Sequence, residues 1–268
     1  MTELTQINIY PVKSCKGMTV TRAELTPFGL KNDRRWMAVD VNGTFLSQRT
    51  IPKMALIETS FAREGLVLKA PNSEAIEIPF QLKTNSPRIV KIWDDACTAQ
   101  DCGDEAAQWF SEFLGIESRL VTMGNLFDRS VSTEYSQHND RVGFADAFPL
   151  LLISSASLRD LNERLDMPIP MNRFRPNLVV SGCEPYAEDR WKRISMGGIS
   201  FGVSKPCARC TIPSVDQTTG EKGKEPLATL STYRIGNSNE VFFGQNLINE
   251  QKSGEIVLGM EASVLEQA

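Results

Sequence analysis

Histidine is nearly absent: the chain of 268 residues has one, His138, in the polar run Glu134-Tyr135-Ser136-Gln137-His138-Asn139-Asp140. A metal held by protein atoms alone wants about four ligands, commonly a second cysteine pair or two histidines. Neither is at hand, so a self-made zinc or iron–sulfur centre is disfavoured. With no Gly-x-Ser-x-Gly, a hydrolase triad is poorly supported as well. Phosphate-loop fingerprints are missing too: there is no Walker-type motif, and Met196-Gly197-Gly198-Ile199-Ser200-Phe201-Gly202 is not a Gly-x-Gly-x-x-Gly. This argues against a kinase and a dinucleotide-binding Rossmann unit. No run approaches the roughly 18 apolar residues that would span a bilayer. The start, Met1-Thr2-Glu3-Leu4-Thr5-Gln6, lacks a basic region followed by an apolar run. The expectation is a cytoplasmic protein with no membrane partner, its six cysteines mostly reduced. A formal charge of −4 excludes a broad electrostatic nucleic-acid surface, though not a local basic pocket.

At 41% hydrophobic and 23% charged residues, the chain has ample core for one large or two smaller domains. The first hundred residues read as short strands at Ile7–Tyr10, Trp36–Val39, Ala55–Ile57, Leu66–Leu68 and Ile89–Ile92, separated by Gly, Pro, Asn and Asp turns, which suggests a barrel or sandwich. Asp104 to Leu114 carries apolar residues at helical spacing, with Gly115 after the last turn. A domain boundary is expected just before it, giving regions 1–100 and 101–268. A second helix is expected over Ser155–Leu165, capped by Ser154 or Ser155. Strands then return at Asn177–Val180, Gly198–Val203 and Glu255–Leu258. The expected fold class is mostly β with a few helices (α+β).

The sharpest local signal is Lys205-Pro206-Cys207-Ala208-Arg209-Cys210-Thr211, a lone Cys-x-x-Cys with an arginine between the thiols. Cys15, Cys97, Cys102 and Cys183 are scattered elsewhere. Either one thiolate completes the coordination of a metal brought in by a cofactor, or two thiols do redox chemistry. Reduced packing thiols are the plain alternative. Three polar clusters place cations or amides where a turn meets a strand. Lys13 and Ser14 lie in Pro11-Val12-Lys13-Ser14-Cys15-Lys16-Gly17, a turn suited to cradling phosphate. Asn32-Asp33-Arg34-Arg35-Trp36 enters a strand, and alternation sends Arg34 and Arg35 to opposite faces, so one reaches a common pocket. Arg49 follows in Ser47-Gln48-Arg49-Thr50. In Arg173-Phe174-Arg175-Pro176-Asn177, Arg175 and Asn177 can face the same side, a guanidinium and an amide suited to a phosphate or a heterocycle edge. Taken singly, each cluster is also explained by solvated side chains beside turns.

Together these segments resemble the MOSC family, named for the C-terminal domain of molybdenum cofactor sulfurases, and specifically its amidoxime-reducing branch among bacterial members. The match runs through Pro11–Gly17, Gly29–Trp36, Phe144–Pro149, Phe174–Gly182, Glu188–Trp191, Lys205–Cys210, Val215–Asp216, Lys224–Leu227 and Phe243–Asn246, and so spans almost the whole chain. The resemblance implies an N-terminal β-barrel region followed by a β-barrel MOSC domain, and a molybdenum–molybdopterin cofactor whose metal takes one protein thiolate. By the family's pattern that ligand is Cys210, with Arg209 beside the metal. Lys13, Ser14 and Arg34 are implied as pterin-phosphate contacts, and Arg175 and Asn177 as further cofactor contacts. Asp146-Ala147-Phe148 corresponds to a cofactor-facing loop whose contacts run through backbone. Arg49 matches a family arginine, whereas Thr50 departs from the glutamine often found there.

A soft thiolate suits a metal already bound by dithiolene sulfurs, and an anionic pterin phosphate explains cations gathered from distant segments of an acidic protein. The implied reaction is reduction of hydroxylamines, amidoximes or N-hydroxylated bases, with electrons from a separate ferredoxin-, flavin- or cytochrome-type protein. Asp216 is a candidate proton donor, although a turn role before Gln217-Thr218-Thr219-Gly220 suits it at least as well. The alternative from another class is a molybdopterin or sulfur (persulfide) carrier using Cys207 or Cys210. Pyridoxal phosphate, proposed for such domains by association with sulfurases, is disfavoured because no Schiff-base lysine stands out. Physiological substrate, electron donor, oligomeric state, molybdenum against tungsten, and the role of Cys207 are not legible in the residues.

Overall fold

A computed structural model of the chain describes residues 1–83, 86–136, 140–236 and 239–267; His138 lies outside them. Strands dominate, as expected. The largest sheet has eight, in the order Ala262–Gln267, Trp191–Met196, Ile199–Ala208, Phe242–Asn249, Leu150–Ser154, Leu178–Ser181, Glu3–Ile9, Met18–Val20. Its centre is the fully buried run Leu150–Ser154, which pairs in parallel with Leu178–Ser181. A parallel pair needs a long crossover, and the helix Ser155–Glu163 supplies it. That helix starts where Ser154 Oγ accepts the Ser157 amide, so Ser154 is the cap.

The other half is built from a four-stranded sheet, Trp36–Asp40, Ser118–Thr122, Asp95–Asp101, Pro87–Ile92, and a three-stranded one, Glu58–Phe61, Gly65–Lys69, Ile76–Pro79. The helix Asp104–Leu114 lays Ala106, Phe110 and Leu114 onto them and ends at Gly115 in the left-handed conformation, φ 67°. Ala55-Leu56-Ile57 is not the strand expected: Pro52 opens a 3₁₀ turn over Pro52–Leu56, burying Met54 and Ala55, and extension begins only at Glu58. Proline at the first turn pre-sets helical φ and removes a ladder donor, which outweighs the β-branched isoleucine.

Strand pairing crosses residues 100/101 in both directions. Glu3–Ile9 runs antiparallel to Leu178–Ser181, with Ile7 opposite Leu178, while Ser118–Thr122 pairs with Trp36–Asp40. The two halves are therefore laced together, each with its own core: Leu4, Ile7, Leu152, Leu178, Phe201 and Leu247 on one side, Trp36, Met54, Leu66, Phe110 and Leu120 on the other. Among the described residues no helix is long and apolar enough to cross a membrane.

Candidate functional site

The lacing brings distant loops to one cleft. Lys13, Ser14, Arg34, Asp146, Arg175, Asn177, Cys207, Arg209 and Cys210 line it. The residues expected to cooperate thus meet in space, with the exception of Asp216.

The turn after Glu3–Ile9 is clamped at both ends. Tyr10 N donates to Asp33 Oδ1 at 2.8 Å, and Lys13 N donates to Trp36 O at 2.8 Å. Just after it Ser14 takes φ 64°, and the facing residues Arg34 and Arg175 also lie in the left-handed region, at φ 46° and 57°. Such conformations cost about 1 kcal/mol or more each for residues other than glycine, and cluster where a site needs them. Arg34 Nη1 donates to Asp33 Oδ2 at 2.6 Å and Asn177 Oδ1 at 2.8 Å, and its guanidinium covers the Tyr10 ring at 4.6 Å. Arg35 turns away to Thr26 Oγ1 and the Phe28 ring, as strand alternation predicts. Arg175 lies over Tyr10 at 4.3 Å, and burial pushes its pKa down to about 10.

Asn177, fully buried, spends its amide on the protein: Oδ1 accepts from Arg34 and from Leu151 N, and Nδ2 donates to Asn8 O. Its role in the cleft is to aim Arg34.

Lys13 is 6% exposed, donating to Phe144 O at 2.7 Å and paired with Asp146. Burial pushes its pKa down to about 8, with Asp146 acting in the opposite sense. Asp146 is a carboxylate 49% exposed and shared between Lys13 and Arg49, which it meets at 2.7 Å. Burial opposes its charge, but the two cations hold it well below the usual carboxylate range. The Asp146 side chain is thereby engaged within the protein, by Lys13 and Arg49. What carries the loop is Arg129, buried, whose guanidinium donates to Gly143 O, Ala145 O and Asp146 O at 2.6–2.9 Å.

The cysteine loop leaves the end of the strand Ile199–Ala208. Arg209 Nη1 donates to Cys207 Sγ at 3.0 Å and Nη2 to Phe174 O at 2.7 Å. Both cysteines are free thiols. Behind the loop, buried Arg173 donates to Pro213 O at 2.7 Å, and Gln217 exchanges amide bonds with Gln48, which also donates to Ser14 O at 2.8 Å. Gln48 and Gln217 thereby tie the Lys13 turn to the Cys210 loop. Neither glutamine, nor Arg129, has a sequence signature, since each acts through contacts at long separation.

Asp216 is a correction to the reading of it as an acid. It lies outside the cleft, accepting the amides of Thr218 and Thr219 at 2.8 and 3.1 Å and facing Arg173. These, the Thr218 amide foremost, hold its pKa down, so it stays ionised and serves the turn.

Three buried donor atoms beside the cysteines have no hydrogen-bond partner among the described residues: Arg49 Nε, Arg49 Nη1 and Arg209 Nε. Leaving such donors unmet costs about 1–3 kcal/mol each. Donors of this kind next to two thiols, with Lys13, Arg34 and Arg175 around the same cleft, fit an anionic group bearing a thiophilic metal. Among the described residues no cluster of three or more His, Cys, Asp or Glu side chains is placed to hold a metal by itself.

The family model described as the MOSC N-terminal beta barrel domain matches residues 1–117, and the model of the MOSC domain matches residues 139–263. The chain belongs to the MOSC family. Relatives of this MOSC protein include the mitochondrial amidoxime reducing component 2 of Bos taurus, 35% identical over 88% of this chain and 74% of that one. The mitochondrial amidoxime-reducing component 1 of Homo sapiens is 34% identical over 98% of this chain and 83% of its own. A molybdenum cofactor sulfurase of Danio rerio is 36% identical over 92% of this chain but only 32% of its own length.

The MOSC cleft has a pH signature. The folded chain releases the Lys13 proton near pH 8, an unfolded lysine near 10.5. Between these values the unfolded state binds more protons, so the Lys13 contribution to stability rises with pH; below 8 both states are charged and the burial penalty is fully present. Urea unfolding of wild type and Lys13→Met from pH 7 to 10.5 is expected to show the wild type gaining on the variant by up to about 3 kcal/mol. A pH-independent difference contradicts this.

Proposed function

We propose that this MOSC protein is a molybdenum cofactor-dependent oxidoreductase that reduces N-hydroxylated compounds (hydroxylamines, amidoximes, N-hydroxylated bases) with electrons from a separate redox protein. The observation carrying the reading is the convergence of buried, incompletely partnered cations on a cleft that presents Cys210; the similarity to amidoxime-reducing relatives supplies the substrate class. In this reading residues 1–100 contribute Lys13, Ser14 and Arg34, and residues 101–268 contribute Arg175, Asn177, Arg209 and Cys210.

When bound, the cofactor supplies two-electron chemistry, N–OH + 2e⁻ + 2H⁺ → N–H + H₂O. The chain positions it. Cys210 provides the metal's thiolate ligand, soft enough for the purpose. Lys13, Arg34 and Arg175 hold the anionic phosphate, with the Ser14 hydroxyl and the left-handed turn amides beside them. Asn177 and Asp33 fix Arg34, and Arg209 braces the Cys207–Cys210 loop against Phe174 O.

The test is elemental analysis and pterin assay of the chain purified from a host that makes the cofactor, followed by reduction of an aromatic amidoxime with a reduced viologen dye. About one molybdenum per chain and dye-dependent amidine formation are expected, with no turnover on a nicotinamide cofactor alone. Protein from such a host with neither metal nor pterin sinks the reading and leaves the sulfur-carrier alternative. Molybdopterin held without turnover and passed to an acceptor protein favours the cofactor-carrier alternative.

A further inference from the structure

Ser14, Arg34 and Arg175 line the cleft in left-handed backbone; a fourth such residue, Trp93 at φ 56°, stands just beyond it. Ile92 pairs with Asp95, so Trp93 and Asp94 form a two-residue hairpin loop, a position that favours glycine or asparagine. A tryptophan there is strained, and the residue is 52% exposed, so burial does not explain the choice. What the ring does touch is specific. Arg49 lies over it at 4.6 Å, and Phe45 meets it edge-on at 5.1 Å. Phe45 in turn carries Lys13 at 5.0 Å.

Arg49 is thus held between an indole face and the Asp146 carboxylate, bonded through Nη2, while Nε and Nη1 stay buried without partners. Asp146 and Cys210 line the same cleft, and the Cys210 sulfur acts on the Arg49 guanidinium both by charge and within side-chain hydrogen-bonding reach, a contact looser than the bond to Asp146. Stacking on an aromatic face is worth about 0.5–2 kcal/mol, enough to select one orientation of a flexible side chain.

We propose that Trp93 is a positioning residue for Arg49, and that Arg49 so placed donates its free N–H groups to the Cys210 sulfur when that sulfur is the metal-ligating thiolate. The inference rests on the proposed function and extends it to a residue outside the cleft. Hydrogen bonds to a ligating sulfur withdraw electron density and favour the reduced metal, one of the ways a protein tunes potential.

The test uses the full chain with and without cofactor. In the cofactor-free protein the Arg49 Nε–H resonance should be displaced by the indole ring current. Trp93→Gly, which relieves the left-handed strain as it removes the ring, should abolish that displacement, and Trp93→Phe should retain part of it. In the molybdenum-loaded protein, a redox titration followed by electron paramagnetic resonance should give a more negative molybdenum midpoint in Trp93→Gly and in Arg49→Ala. The double variant should shift no further, and Trp93→Phe should stay near wild type, each midpoint being read on the molybdenum-loaded fraction. An Arg49 resonance indifferent to residue 93, or a Trp93→Gly midpoint equal to wild type, overturns the inference. A wild-type chain that takes up no molybdenum overturns the reading of the cleft and with it the sulfur role, while the resonance experiment still decides whether Trp93 sets Arg49.

Discussion

Cys210→Ala is expected to abolish dye-driven amidoxime reduction, by about a thousandfold or more, equivalent to at least about 4 kcal/mol of transition-state stabilisation. Molybdenum content should fall with it, while the far-ultraviolet circular dichroism and urea midpoint stay close to wild type. The reasoning is local. Cys210 is partly exposed on a loop braced by Arg209, Arg173 and Gln217, none of which bonds its sulfur, so truncating it removes the proposed ligand and its interaction with Arg49 but leaves those braces in place. Cys207 differs: its sulfur accepts Arg209 Nη1, and it packs on the Phe174 cluster. Cys207→Ser, which keeps an acceptor there, is expected to retain metal and most of the activity. Equal loss in both variants points to a dithiol mechanism, and full activity in Cys210→Ala removes the metal-ligand assignment.

The second large effect is structural and reaches the site indirectly. Asn177→Ala should destabilise the cofactor-free protein by about 2–4 kcal/mol, because it strands the Leu151 amide and the Asn8 carbonyl in a fully buried place, at about 1–3 kcal/mol each. Arg34 keeps Asp33 but loses the bond that points it inward. Cofactor retention on gel filtration should therefore drop even under conditions where the variant remains folded. Asn177→Asp, isosteric and able to accept from both Arg34 and Leu151 N, is expected to recover the aim of Arg34 at the expense of the Asn8 contact. Urea unfolding with parallel molybdenum analysis reads both effects. Unchanged stability in Asn177→Ala shows that the knot between the two halves is made elsewhere.

The division of labour between chain and fold can be read residue by residue. Periodicity and the closing Gly115 marked the helix Asp104–Leu114, and apolar runs marked strand character at Trp36, Leu66 and Leu178, because those segments bury one face or both and their neighbours agree. The 3₁₀ turn at Pro52–Leu56 was hidden, since three apolar residues carry no period of their own and the proline decided the matter. Turn chemistry and charge marked Lys13, Arg34, Arg175 and Cys210 as worth attention, and alternation separated Arg34 from Arg35.

What the sequence by itself determined, then, was the fold class, the family resemblance and most of the groups that bear charge or sulfur into the cleft: these depend on residue type, local spacing and motif order. Tertiary structure decided how they are held. Only strand exchange across the two halves places Asn177 against Arg34 and Gln48 against Gln217, at separations of 143 and 169 residues. Only the folded loop shows Asp146 shared by Lys13 and Arg49, Arg129 carrying that loop, Asp216 spent on its own turn, and Trp93 strained beneath Arg49. A side chain's chemistry is local, but its partners are set by long-range contacts, and those exist only once the chain has closed on itself.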